Sequence, residues 1–139
     1  MRTLAYGRRL GHSERMLLPS AHEQTELIEV VRISPDANDP LPKTLDGEDV
    51  AIWEGDEARE VLSLIKELPV SRPGQTFLPG WGLRAHGPRG MLFEFAFSYD
   101  CHAARVWGPA VPHKQEGLYP FDPDSPQAVE LLRRFRACT

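Results

Sequence analysis

The sequence predicts an α+β fold: a mainly antiparallel sheet of about four or five strands, with two helices packed on one face. Three observations carry this. First, Phe93, Phe95, Phe97, Tyr99 and Cys101 occupy alternate positions of "MLFEFAFSYDC", the period-2 signature of a strand with one apolar face. Second, "WGLRAH" precedes it across the short turn "GPRG", which reads as a β-hairpin. Third, two segments carry apolar residues at helical spacing, one before the hairpin and one after it.

In chain order, residues 1–24 are polar and irregular and read as an N-terminal arm, with a short helical stretch around Met16–Leu18. Residues 25–139 read as one domain, a normal size for a single hydrophobic core. "ELIEVVRIS", Glu26 to Ser34, is rich in β-branched residues and predicts the first strand. "PDANDPLPKTLDGEDV" follows with three prolines and five acids, and predicts a surface loop.

"DEAREVLSLIKELPV" predicts the first helix. Asp56 and Glu57 suit the positive end of its dipole, Ala58, Val61, Leu62, Ile65 and Leu68 form one stripe, and Pro69 stops it. In the hairpin, opposing Leu83 to Phe95 puts both apolar sets on one side and sets Arg84 against Glu94 on the other. "ARVWG" and "LYPFD" predict two further short strands. The last helix is "SPQAVELLRRFRAC", with Ser125 as N-cap, Pro126 at the first helical position, and Ala128, Leu131, Leu132 and Phe135 facing inward. The expected order is β-α-β-β-β-β-α, with both helices on the phenylalanine-rich face.

Composition removes several functions. A net charge of −4 disfavours a general nucleic-acid binder, although Arg8, Arg9 and Arg15 cluster near the start. No apolar run reaches membrane-spanning length, and the first twenty residues lack the apolar core of a secretory signal. Cys101 and Cys138 are too few for a disulfide framework, so a reduced, cytoplasmic protein is expected. The five histidines and two cysteines show no C-x-x-C, H-x-x-x-H or H-E-x-x-H spacing, and "GPRG" and "PGWG" are turn glycines rather than phosphate loops. Neither a metal nor a cofactor is expected.

The candidate chemistry centres on "SYDCHAARVW". If the strand runs through it, Cys101 falls on the aromatic face as a small buried filler, because a reactive thiol needs a basic partner and access. Ser98, Asp100 and His102 then share the opposite face, where Asp100 orients His102 beside a serine, with Glu94 near by. No strand-turn-helix elbow presents that serine, and an open antiparallel sheet ordinarily has one wet polar face. Arg84 and His86 lie on the same face and make it a candidate binding surface. Trp53, between acidic residues and a helix, is the candidate for an exposed anchor. The acidic stretch from Asp36 to Asp56 suits long-range attraction of a basic partner.

"FEFAFSYDCHAARVW" and "YPFDPDSPQAVELLRRFR" resemble the last third of a loose class of small uncharacterised bacterial α+β proteins, some of them immunity proteins. Members of that class often carry a second cysteine three residues before the first. Ser98 stands there, so a C-x-x-C role is not carried over. The expected function is that of a small binding protein acting by contact with another protein, as an immunity or accessory protein. The alternative is a small enzyme using Asp100 and His102 as an acid/base pair, with Ser98 or Glu94 assisting.

Overall fold

The structure is a computed structural model that describes residues 18–34, 45–72 and 77–138. Most of the expected arm, its arginines Arg8, Arg9 and Arg15, the prolines of the acidic loop and the first Pro-Gly turn lie outside the described residues.

The elements are β1 (Leu27–Ile33), β2 (Gly47–Glu54), α1 (Asp56–Lys66), β3 (Trp81–Gly87), β4 (Gly90–Ser98), β5 (Ala103–Trp107), β6 (Gly117–Pro120) and α2 (Pro126–Arg136). A 3-10 turn, Ser20–Gln24, leads into β1, and a second one, His113–Gln115, leads into β6. The six strands form one antiparallel sheet in the order β2-β1-β3-β4-β5-β6. The α+β class stands, with six strands rather than four or five.

The additional strand is β2, whose first half lies in the segment expected as an acidic surface loop. Glu48, Asp49 and Glu54 disguise it, and an edge strand tolerates such charges because its side chains stay half in water. Ala51 and Trp53 oppose Val30 and Ile28 of β1 and turn inward, while a bulge between Val30 and Val31 twists the strand's first half.

The β3–β4 register is the expected one, with Leu83 opposite Phe95 and Arg84 opposite Glu94. Phe93, Phe95 and Phe97 are fully buried under both helices, where they meet Val61, Ile65, Leu131 and Phe135. Phe135 is the hub of this core. Its ring lies 5.4 Å from Trp81, 5.6 Å from Phe97 and 5.7 Å from Trp53, centroid to centroid.

The other face of the sheet is not wholly polar. Val31, Ile33, Leu45, Ala96 and Trp107 form a second small core, with Phe77 packed against it. Gly82 is what lets Leu45 approach, since a Cβ there would sit 2.7 Å from Leu45 Cδ2 and 2.9 Å from the Phe95 carbonyl oxygen.

At α2, Ser125 caps the helix as expected. Its Oγ accepts a hydrogen bond from Ala128 N at 3.2 Å, and Pro126 fills the first turn. Ser125→Ala is expected to cost about 1 kcal/mol. That corresponds to a fall of about 4 °C in Tm for a domain of this size, measurable by thermal melting.

Candidate functional site

The stretch that suggested catalysis is a turn. β4 stops at Ser98, and residues 99–102 reverse the chain into β5. Ser98 is fully buried, and its Oγ accepts hydrogen bonds from Leu78 N and Cys101 N, both at 3.1 Å. A nucleophilic serine needs a base to take its proton and an open path to substrate; this one caps a turn. Asp100 is exposed, and no hydrogen bond or ion pair joins it to His102.

His102 has φ 59°, the left-handed region, and its carbonyl accepts from Phe121 N at 2.8 Å. The expected shared face of Ser98, Asp100 and His102 therefore does not form, because alternation ends one residue after Ser98. Cys101 is buried as expected, at 2% exposure, but the turn rather than strand pleating puts it inside. Tyr99 leaves the strand as well. Its hydroxyl donates to the Ala128 carbonyl at 2.8 Å, and burial pushes its phenol well above the usual tyrosine range, partly offset by Arg136.

His102→Gly is a direct check on this residue's role. Glycine relieves the left-handed backbone at some entropic cost, so stability is expected to rise by between zero and about 1 kcal/mol in urea denaturation. A loss of stability would show that the imidazole itself holds the turn.

Glu94, Arg84 and His86 belong to a charged array spread over the second face. Glu94 is 4% exposed and sits between two donors, with Arg84 Nε at 3.2 Å from Oε1 and Trp107 Nε1 at 2.9 Å from Oε2. Arg84 is committed at its other nitrogens too, to Asp49 Oδ1 and the Leu45 carbonyl, both at 3.1 Å. His86 Nε2 lies 2.7 Å from Glu29 Oε1. Five strands thus contribute to one network, with Arg84 bonded to groups from three of its neighbours at once. Glu29 and Asp49 were missed as members. Glu29 was legible, since it alternates with Ile28 and Val30; Asp49 was hidden with β2.

Trp53 is not an exposed anchor. It is 4% exposed and stacks on Phe135. Its neighbour Ile52 turns outward instead and is 57% exposed. Beside β2, an edge strand of the sheet among the described residues, lies a groove of about 580 Å³, lined by Ile52 and Trp53, by Glu57 and Glu60 of α1, and by Arg134 and Cys138 at the end of α2.

The far wall is electrically closed. Arg134 bridges Glu60 at 3.1 Å and Glu130 at 2.8 Å, and Arg133 holds Glu130 at 2.6 Å. Hydrogen bonds from Arg133 and then Arg134 pull the Glu130 carboxyl down to about 2. The stabilising contribution of that pairing is thus present above the ordinary carboxylate range and lost as pH falls through about 2. Cys138 donates to the Arg134 carbonyl at 3.3 Å, and burial, aided by Glu57 and opposed by a hydrogen bond with Trp53, pushes its thiol up.

Among the described residues, no group of three His, Cys, Asp or Glu side chains is placed to hold a metal ion. No described helix is long and apolar enough to cross a membrane. Compared with known proteins, the chain matches no family model, no curated protein and no solved structure.

Proposed function

We propose that this is a small binding protein that acts by contact with another protein, through the edge strand β2 and the groove beside it. The observation that carries the reading is Ile52. It is a large apolar side chain, 57% exposed, on a strand edge otherwise guarded by acids and bordering a concavity of about 580 Å³. Leu78 at 62% and Val129 at 55% are similarly exposed; Ile52 differs in lying on an edge strand and in lining the concavity, and that combination supports a contact site. The resemblance of the last third to immunity-type proteins agrees with an accessory role of this kind. Two free cysteines suit a reducing compartment, and we place the action in the cytoplasm. The competing reading, an acid/base enzyme, draws no support from a buried, twice-bonded Ser98 and an unpaired Asp100 and His102.

Site-specific photo-crosslinking in cells that make the protein tests this. A photoreactive residue at position 52 is expected to give one defined protein adduct, while the same group at Arg89, exposed in the β3–β4 turn, gives none. Equal labelling at both positions, or none at 52, would overturn the proposal. So would turnover of a metabolite by the pure protein that His102→Ala abolishes.

A further inference from the structure

We infer that the partner docks by strand addition: a basic, extended segment pairs with β2 and becomes a seventh strand of the sheet. This rests on the reading just given and specifies its chemistry.

The phase of the hydrogen-bond ladder supplies the first argument. Ile33 N donates to the Gly80 carbonyl and Ser34 N to the Asp46 carbonyl. Along a strand, successive amides point to opposite sides, so odd-numbered residues of β1 face β3 and even-numbered ones face β2. Ile28–Trp53 and Val30–Ala51 are then the hydrogen-bonded pairs between β1 and β2. Ile52, between them, turns its amide and carbonyl away from the sheet, with no partner among the described residues. Free main-chain groups beside an exposed apolar side chain are what an added strand needs: backbone bonds for affinity and alternate side chains for specificity.

Charge selects the occupant. From Leu45 to Ala58 the chain carries Asp46, Glu48, Asp49, Glu54, Asp56 and Glu57 and no cation. Arg32, Arg84 and Arg59 answer Glu48, Asp49 and Asp56, whereas Asp46, Glu54 and Glu57 have no ion-pair partner among the described residues. A second copy of this chain is disfavoured, because β2 against β2 sets acid against acid in either direction. A lysine- or arginine-bearing strand meets the opposite situation. Its basic side chains reach Glu54 and Glu57, and an apolar one covers Ile52.

The test is selection of random dodecapeptides displayed on phage against the immobilised full chain, followed by affinity measurement on a synthetic representative. The enriched pool is expected to be rich in Lys and Arg alternating with β-branched residues. Affinity should fall about tenfold or more with Glu54→Lys/Glu57→Lys, and about tenfold further with Ile52→Pro than with Ile52→Ala, since both remove the side chain but only proline deletes the outward amide. An unchanged circular-dichroism spectrum certifies the proline variant. Should it misfold, N-methylation of alternate peptide amides asks the same question from the other side, and is expected to abolish binding.

An acidic or neutral pool overturns the inference, as does self-association of the chain through this edge. Peptides that lose affinity with the Glu54 and Glu57 reversals, yet tolerate N-methylation and bind Ile52→Pro as well as Ile52→Ala, overturn strand addition while leaving the docking surface in place. No enrichment, or binding unaffected by any change at β2 and α1, overturns both.

Discussion

Phe135→Ala is expected to cost about 3–5 kcal/mol, the range for removing a fully buried phenylalanine. The ring is 0% exposed and touches Trp53, Trp81 and Phe97, which come from three different strands. Each aromatic pair adds roughly 0.5–1.5 kcal/mol beyond area burial, and the terms are not additive. The three neighbours are held by their own strands and do not collapse into the space, so most of the vacated volume stays empty. Domains of this class have only about 5–15 kcal/mol of stability in all, so the variant sits near the edge of folding. Urea denaturation followed by tryptophan fluorescence reads the loss directly, because Trp53 and Trp81 are the residues that lose their stacking partner. A cost below about 1 kcal/mol would mean that α2 is not what closes the aromatic core.

Glu94→Ala is expected to cost about 3 kcal/mol. Removing one member of a buried ion pair leaves the other charge uncompensated, typically at about 3–5 kcal/mol. Here Arg84 keeps Asp49 at 3.1 Å and Glu29 at 3.8 Å, which softens the loss. The Trp107 indole N–H has no such reserve and loses its acceptor in a buried position. Glu94→Gln retains an acceptor for the indole and should cost about half as much. A double-mutant cycle with Arg84→Ala separates the pair from its surroundings, with a coupling of about 1–3 kcal/mol expected for directly bonded side chains. Full additivity would show that Glu94 works through Trp107 alone.

The parts of the fold legible in the sequence were those where one pattern explained both faces of an element. The phenylalanine row needed an inner face, and Arg84 opposite Glu94 satisfied the outer one, so a single register met both demands. Ser125-Pro126 marked a helix start by two independent means. β2 was not legible, because its acids argue against an interior strand and leave an edge strand and a loop equally open. The turn at residues 99–102 was hidden by the very alternation that revealed β4. Tyr99 and Cys101 continue the apolar rhythm, yet Tyr99 is drawn off by a helix carbonyl and Cys101 is tucked under a serine hydroxyl.

The candidate site was half visible. The acidic region around Trp53 stood out, but the tryptophan's destination depended on Phe135, far along the chain, and no local pattern reports that. With Trp53 turned inward, its neighbour Ile52 faces out by simple alternation. The second-face array was visible through Arg84, Glu94 and His86, and incomplete without the strand that carries Asp49.

The position of Phe135 in the chain also bears on how the molecule is made. Every strand leaves the ribosome before the residue that closes over Trp53, Trp81 and Phe97. At about 5–20 residues per second, the interval between residues 97 and 135 lasts roughly 2–8 s. Through that interval the nascent sheet displays a row of rings that α1 alone can cover, a ready target for a chaperone and a hazard in a crowded polysome.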